Sequence, residues 1–169
     1  MEPMVVEAVR GAEVEFEPFF EAHYPTLARA LLLLTGDPFE AEELAQEAFA
    51  RAYERWDRIK LMDSPAGYLY RIALNLNRSR LRRVTARARR AFVPAPDPDP
   101  AAVAEARSEV LRILSELPRG QREALILVEW FGMESQEAGG VLGIEAASVR
   151  GRLHRARATI RERFGGQDE

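Results

Sequence analysis

Apolar residues recur three and four positions apart along most of the chain, and no stretch of useful length alternates between apolar and polar residues. The three-and-four spacing is that of one face of an α-helix, whereas strict alternation is typical of a β-strand. The pattern therefore predicts an all-α fold. Pro25 interrupts the first apolar face and predicts a kink or a local restart of its helix. That first face comprises Phe16, Phe19, Phe20, Leu27, Leu31 and Leu34.

Two further helices in the first half have recognisable starts, at Asp37-Pro38 and at Ser64-Pro65. In each, a side chain that can cap a helix precedes a proline at the first helical position, where the missing N–H has no partner to lose. The helix after Asp37 is predicted to bury Ala41, Leu44, Ala45, Ala48, Phe49, Ala52 and Trp56. The helix after Ser64 is predicted to bury Leu69, Ile72, Ala73 and Leu76.

The sequence from 93 to 100 has proline at every second position, four in all. Such a run forbids a helix and favours an extended, semi-rigid tether. We therefore predict two small helical domains joined by this linker. The predicted parts are a tail at 1–13, a first domain at 14–92, the linker at 93–100, a second domain at 101–164 and a tail at 165–169.

Four helices are predicted in the second half, and the last two have the elements of a helix-turn-helix. Gly143 and Ile144 supply the turn, and Gly139 would let the two helices cross closely because it has no side chain. The predicted helices span 101–117, 120–131, 135–142 and 146–164. The first of them is predicted to bury Val103, Val110, Leu114 and Leu117, and the last Val149, Leu153, Ala156, Ile160 and Phe164.

Charge is distributed very unevenly, although the formal net charge is only −3. Residues 67–93 hold eight arginines and no acid, and residues 146–164 hold six arginines and one Glu. Arginine presents a planar fork to phosphates and base edges, so two arginine-rich helices indicate two contacts with nucleic acid. A compositional bias explains why 23 of the 24 basic residues are Arg. It does not explain the absence of acids from 67–93.

Several classes of site are excluded or disfavoured by the residue types present. Cysteine is absent, which excludes disulfides, zinc fingers and thiol catalysis and fits a reducing cytoplasm. The acidic cluster Glu40, Glu42, Glu43 and Glu47 lacks the Glu-x-x-His pairs of helical di-metal sites. His23 lies in an aromatic-rich helix and is expected to be a packing residue. We therefore expect no catalytic site, no metal and no cofactor.

Membrane insertion and secretion are also not expected. The longest purely apolar run is far shorter than the ~20 residues that a membrane-spanning helix requires. The N-terminus is acidic and has no basic region before an apolar core, unlike a secretion signal. The chain is therefore expected to stay in the cytoplasm.

Two groups of short motifs occur in order along the chain. The first half contains Ala41-Glu-Glu-Leu-Ala-Gln-Glu-Ala-Phe49 and Gly67-Tyr-Leu-Tyr-Arg-Ile-Ala-Leu-Asn75. The second half contains Leu117-Pro-Arg-Gly-Gln-Arg-Glu-Ala-Leu125, Val141-Leu-Gly-Ile144 and Ser148-Val-Arg-Gly-Arg-Leu-His-Arg-Ala-Arg157. These motifs resemble regions 2 and 4 of bacterial RNA polymerase sigma factors of the extracytoplasmic-function (ECF) group. The resemblance covers roughly residues 14–164, nearly the whole chain.

The resemblance implies a factor that binds core RNA polymerase, recognises the minus 10 and minus 35 elements of promoter DNA and promotes transcription initiation. An anti-sigma factor is a further implied partner. The implied polymerase-binding residues are Glu43, Gln46 and Glu47. The implied minus 10 residues are Ser64, Tyr68, Arg71, Asn75, Arg78, Arg82 and Arg83. The implied minus 35 residues are Ser148, Arg150, Arg152, His154 and Arg155.

Some of these residues also have simpler explanations. Glu47 and Arg51 are four residues apart and would form an ordinary ion pair on a solvated helix face. Tyr70 fits a core position at least as well as a surface on which a base stacks. A free-standing helix-turn-helix repressor is the alternative function, but it leaves the first half of the chain unexplained.

Five positions depart from the family pattern. Gly151 stands where serine is common, and Glu134 and Glu145 stand where small hydroxyl residues often precede the two helices of the helix-turn-helix. Glutamate is a poorer N-cap than serine or threonine, so both helix starts are expected to be less firm. Ser79-Arg80 replaces an Asp-His pair. These departures leave the promoter sequence open and do not change the class of protein.

Overall fold

The computed structural model describes residues 15–91 and 109–165, and all regular structure in these two segments is helical. The predicted all-α fold is confirmed. The proline-rich linker, the tail at 1–13, most of the tail at 165–169 and the predicted core residue Val103 lie outside the described residues. The helices are α1 (Phe16–Thr35), α2 (Pro38–Glu54), α3 (Trp56–Ile59), α4 (Pro65–Ala91), α5 (Glu109–Ser115), α6 (Arg119–Leu125), α7 (Ser135–Leu142) and α8 (Ala146–Phe164).

Helix α1 continues through Pro25 as one element, so the helix does not restart there. It ends at Gly36, which has φ +71° and whose N–H donates to the carbonyl oxygen of Leu32 at 2.8 Å. Residues other than glycine rarely adopt this backbone conformation, and glycine commonly ends helices in this way. The turn allows α2 to pack along α1.

Helices α2 and α4 begin at the two predicted caps. One carboxylate oxygen of Asp37 accepts hydrogen bonds from the N–H groups of Phe39 (2.9 Å) and Glu40 (3.1 Å). The hydroxyl of Ser64 accepts a hydrogen bond from the N–H of Gly67 at 3.1 Å. These bonds satisfy first-turn amides that have no partner within the helix. They fix where each helix begins and therefore which face it buries.

Small side chains on α2 allow α1 and α4 to approach it closely. Ala45, Ala48 and Ala52 have no exposed surface, and α2 packs against both neighbouring helices. The ring of His23 lies 4.5 Å from that of Phe19, so His23 is the packing residue that the sequence predicts. Partial burial there lowers the pKa of His23.

Helices α7 and α8 form the predicted helix-turn-helix. Gly143 ends α7 with φ +69°, a conformation that favours glycine. A Cβ atom at Gly139 would lie only 2.6 Å from the carbonyl oxygen of Ile144, so the close crossing that the sequence predicts is confirmed. Val149 and Leu153 are buried against this crossing.

Two features of the second segment differ from the prediction. Val110 is 52% exposed, because the inward face of α5 is formed by Leu111 and Leu114, and adjacent residues do not share a helix face. The predicted helix at 120–131 is α-helical only as far as Leu125. It continues as a π-helical turn over Ile126–Trp130, which periodicity alone does not indicate.

The two segments share one hydrophobic core. Buried residues of α1, α2 and α4 form a continuous cluster with buried residues of α6, α7 and α8. Within this contact, Tyr70 of α4 stacks on the partly buried Phe131 of the second segment, with the ring centroids 4.0 Å apart. Tyr70 therefore has the core position that the sequence left open, and burial raises its pKa.

The close crossing of α7 and α8 generates a stability prediction. Gly139→Ala should lower the free energy of unfolding by about 1–3 kcal/mol, because the new methyl group meets a backbone oxygen that has little room to move. Gly140→Ala is the matched control, since a Cβ at Gly140 meets nothing within 4 Å. It should be neutral or stabilising, by up to about 1 kcal/mol, because alanine favours the helix. Equal destabilisation of both variants in urea unfolding would contradict the crossing.

Candidate nucleic-acid interface

A polar cleft of about 870 Å³ lies between α2 and α4. From α4 it is lined by Tyr68, Arg71 and Asn75, three of the predicted minus 10 residues. From α2 it is lined by Arg51 and two glutamates, and from the residue after α2 by Arg55. Guanidinium groups beside an aromatic ring suit a single nucleic-acid strand, because phosphates pair with arginine and bases stack on rings.

The basic surface continues along α4 beyond this cleft. Arg82 and Arg83 are exposed, and they line a shallower cavity together with Ser79 and Arg51. Arg82 also donates a hydrogen bond to the hydroxyl of Ser79 at 3.0 Å. Five of the seven predicted minus 10 residues therefore lie along one continuous surface, which we call the α4 surface.

The other two predicted minus 10 residues, Ser64 and Arg78, contact the second segment instead. Nε and Nη2 of Arg78 donate to the two carboxylate oxygens of Glu123 at 3.1 and 2.7 Å. These hydrogen bonds raise the pKa of Arg78. The hydroxyl of Ser64, besides capping α4, lies 3.4 Å from a carboxylate oxygen of Glu137.

Arg51 and Arg55 are absent from the set of residues predicted to bind DNA. Arg51 makes the predicted ion pair with Glu47 at 2.6 Å, and both side chains are about half exposed. Such an exposed pair contributes little to stability and leaves the arginine available to other anions. The signal that could have identified these two residues is their spacing of four, which places them together beside the buried alanines of α2.

The second basic surface is the exposed side of α8. Its opposite side is buried in the second segment, through Val149, Leu153 and Ala156. This helix carries six arginines, and Glu162 is its one acidic residue. The predicted minus 35 residues that are exposed are Ser148, Arg150, His154 and Arg155.

Arg152, the remaining predicted minus 35 residue, is half-buried and lies between the two segments. A Cβ atom at Gly120 would be 2.9 Å from a guanidinium nitrogen of Arg152. Both residues line a cavity of about 700 Å³ with Arg78, Arg119 and Glu123. We call this cavity the inter-segment cleft. In this cleft Arg152, predicted for the minus 35 element, and Arg78, predicted for the minus 10 element, both lie beside the carboxylate of Glu123.

The exposed face of α2 carries Glu43, Gln46 and Glu47, the three residues predicted to bind polymerase. Phe39 and Tyr53 are 69% and 64% exposed. They lie on the same side of the helix, four residues before Glu43 and seven after Gln46. Exposed aromatic side chains are enriched in protein–protein contacts. This set of five residues, the α2 face, therefore has the character of a protein-binding surface.

Comparisons with known proteins match both parts of the chain to one protein family. Residues 19–87 match the family model for Sigma-70 region 2, and residues 107–160 match the model for Sigma-70, region 4. The RNA polymerase sigma-E factor of Streptomyces coelicolor is 30% identical over 160 residues, which cover 94% of this chain and 90% of that protein. The chain belongs to the sigma-70 family of RNA polymerase sigma factors. Helix α4 lies mainly in its region 2, and α8 mainly in its region 4.

A further relative indicates the ECF group of sigma factors, and a solved structure shows the same fold. The ECF RNA polymerase sigma factor EcfG of Rhodopseudomonas palustris is 30% identical, with 82% of this chain and 79% of EcfG covered. The sigma factor RpoE of Bartonella quintana, solved in complex with the anti-sigma factor NepR, shares the fold. Its TM-score is 0.76 at 22% identity, with 90% of this chain and 98% of that chain covered. The resemblance to ECF sigma factors is confirmed, and nothing supports a free-standing repressor.

The departures from the sigma-factor pattern have visible structural effects. Neither Glu134 nor Glu145 makes a side-chain capping bond, as expected for glutamate. Arg80 forms an ion pair with Glu40, which links α4 to α2. Desolvation lowers the pKa of Arg80. Arg80 therefore contributes to packing within region 2.

The similar proteins named above are sigma factors and give no indication of catalysis. Within residues 15–91 and 109–165, no group of three or more His, Cys, Asp or Glu side chains could hold a metal ion. No helix in this part of the chain is both long enough and apolar enough to cross a membrane.

Proposed function

We propose that this sigma factor binds core RNA polymerase through the α2 face and positions it on promoters through the α4 surface and α8. The observation that carries the proposal is the presence of one exposed arginine-rich surface in each matched region. Because both contacts are on one chain, binding at one promoter element raises the effective concentration of the second contact near its own element. Each contact is weak, so each can be released separately. Such binding suits a factor that must leave the promoter after initiation.

At the minus 10 element, the α4 surface would hold one strand after the duplex opens. Arg71 and Arg51 would pair with phosphates, Tyr68 would stack on a base, and Asn75 would bond a base edge. Opening costs a few kcal/mol per base-pair step, and it is offset where an extruded base finds a pocket and a ring to stack on. Arg82 and Arg83, together with Ser64 and Arg78, would contact the adjoining backbone.

At the minus 35 element, α8 would enter the major groove of duplex DNA with its N-terminal end first. Ser148 and Arg150 lie in the first turns of the helix and would meet base edges or phosphates, with His154 and Arg155 one turn further along. Arginine can pair with guanine through two hydrogen bonds, which gives sequence discrimination. Gly151 adds no side-chain contact at the centre of this surface.

The α2 face would bind a basic surface of core RNA polymerase. Glu43 and Glu47 supply charge complementarity, which mainly accelerates association, and the exposed rings of Phe39 and Tyr53 supply apolar area. We also propose that an anti-sigma factor covers these surfaces, because the similar sigma factor RpoE was solved with one. Purification of the native protein without any such inhibitor bound would count against that partner.

We infer that the chain carries out no chemistry and takes no cofactor, since transcription itself belongs to the polymerase. It would act in the cytoplasm, where core polymerase and chromosomal DNA are found. Membership of the sigma-70 family supports the inference about chemistry and cofactors and the inference about location.

Transcription with core polymerase tests the promoter assignment. Core polymerase plus this protein should yield transcripts with defined start sites, which sequencing of the products would identify. On such a promoter, Arg150→Ala with Arg155→Ala should weaken binding of minus 35 duplex by about 1–3 kcal/mol for each arginine that pairs with a base. Tyr68→Ala with Asn75→Ala should mainly reduce strand opening, measured by permanganate reactivity of unpaired thymines.

The two pairs of substitutions control for each other, because each should leave the other step intact. If both pairs reduced only the formation of the closed complex, the assignment of opening to the α4 surface would be wrong. If core polymerase with the unaltered protein gave no start-specific transcript, the proposed function itself would be contradicted.

A charge reversal tests the docking assignment. Glu43→Lys should weaken the complex with core polymerase about tenfold at low salt, because a like charge would face the basic partner. Fluorescence titration with labelled core polymerase would measure this. Glu21→Lys makes the same change of charge at an exposed position of α1 and should change the affinity by less than about twofold. Equal weakening by both variants would mean that net charge, and not the α2 face, controls binding.

A further inference from the structure

Arginines from both segments line two adjacent cavities. One is the inter-segment cleft, and the other is a cavity of about 480 Å³ that extends from it along the last turns of α4. Leu81, Thr85 and Arg119 line both cavities, so the two are contiguous. The six arginines around them are Arg78, Arg82, Arg89, Arg90, Arg119 and Arg152.

These arginines greatly outnumber the acids beside them. Among the described residues that line the two cavities, Glu123 is the one acid, so six guanidinium groups and one carboxylate give a formal charge of +5. That carboxylate already accepts two hydrogen bonds from Arg78. A concave surface lined by charges of one sign raises the local concentration of counter-ions. Four of the arginines form no ion pair with any residue that the structure describes, namely Arg82, Arg89, Arg90 and Arg152.

The lack of a side chain at Gly120 gives Arg152 its place in the cleft. The guanidinium of Arg152 lies against α6 at a position that a Cβ atom of residue 120 would approach to 2.9 Å. Arg152 is half-buried there, whereas Arg150 and Arg155 are on the exposed side of α8. A planar guanidinium that is already held in a cavity loses less freedom when it binds an anion. Helix α8 therefore contributes one arginine to the cleft and others to its exposed side.

We propose that the two cavities form a binding site for a small polyphosphate, a compact molecule with several linked phosphate groups, as in nucleoside triphosphates and inorganic polyphosphates. One phosphate group carries about −1.5 to −2 charges near neutral pH, so it would offset less than half of the +5, whereas three linked groups match it. Arginine pairs with phosphate oxygens through two parallel hydrogen bonds. The inference does not depend on promoter binding.

DNA phosphates share this chemistry, and three of the six arginines are also proposed to contact DNA. Two observations favour a small ligand. The arginines come from two walls, α4 on one side and the second segment on the other, and the inter-segment cleft has the volume of a typical small-molecule site. In addition, Arg89, Arg90 and Arg119 belong to neither proposed DNA-binding set, so the site includes cations that promoter recognition does not use.

Isothermal titration calorimetry of the full chain with inorganic tripolyphosphate tests the proposal. At a fixed ionic strength, tripolyphosphate should bind at one site per chain and at least about tenfold more tightly than inorganic phosphate. Arg89→Gln and Arg152→Gln each remove a guanidinium from one wall of the site. Each should weaken tripolyphosphate binding about tenfold, because a hydrogen bond between charged groups is lost.

Matched variants on the same two helices separate a defined site from general attraction to a basic protein. Arg87 on α4 and Arg161 on α8 are exposed and lie outside both cavities. Arg87→Gln and Arg161→Gln remove the same charge and should change the affinity by less than about twofold. Equal weakening by all four variants would overturn the proposal, as would binding of tripolyphosphate no tighter than that of inorganic phosphate.

A fluorescein-labelled DNA duplex of mixed sequence distinguishes the two sources of phosphate. If Arg89→Gln and Arg152→Gln weakened binding of the duplex and left tripolyphosphate binding unchanged, the cavities would be a DNA contact and the proposal would be wrong.

Thermal unfolding gives a second readout if Arg152→Gln fails to fold. The midpoint of the unaltered chain should rise with tripolyphosphate concentration, because a ligand that binds only the folded chain stabilises it. Arg89→Gln, a change at an exposed position, should reduce that rise, whereas Arg87→Gln should not. A midpoint that tripolyphosphate raised no more than inorganic phosphate did would also overturn the proposal.

Discussion

The buried carboxylate of Glu123 is the constraint on which the arrangement of the two segments depends. Only 1% of its side chain is exposed, so a cation must be held against it, and the first segment supplies that cation as Arg78. Two further contacts also join the segments. Arg122 bonds the end of α1, and Tyr70 of α4 stacks on Phe131 of the second segment.

The position of this ion pair relates packing to function. The α2 face and most of the α4 surface remain exposed while the segments are packed together. Any partner that binds the separated segments more tightly shifts the population toward them by its difference in affinity.

Features that depend on neighbours in sequence could be predicted, and features that depend on distant contacts could not. The caps at Asp37 and Ser64 and the glycine crossing at Gly139 follow from local chemistry, and the structure agrees. Val110 is on the exposed face and not on the predicted buried one, because Leu111 and Leu114 form the inward face of α5.

Arg78 illustrates the limit for the candidate site. Its spacing from Arg71, Asn75 and Arg82 predicts a common stripe on α4, and helical periodicity supports that prediction. Its partner Glu123 is 45 residues away in sequence, so no local pattern could reveal the contact. The shared core could not be predicted for the same reason, because an apolar face in the sequence does not show which other face will cover it. Two helical segments joined by a proline-rich linker are equally consistent with separate and with packed arrangements.

The distance between the segments in solution tests this account most directly. The chain has no cysteine, so spin labels can be attached at single cysteines introduced at the exposed positions Asp57 on α3 and Glu162 on α8. Double electron–electron resonance on the free protein should give one narrow distribution at the separation seen in the structure, because the two segments share a core and are joined by the Arg78–Glu123 pair. A broad distribution, or one centred at a much longer distance, would contradict the account.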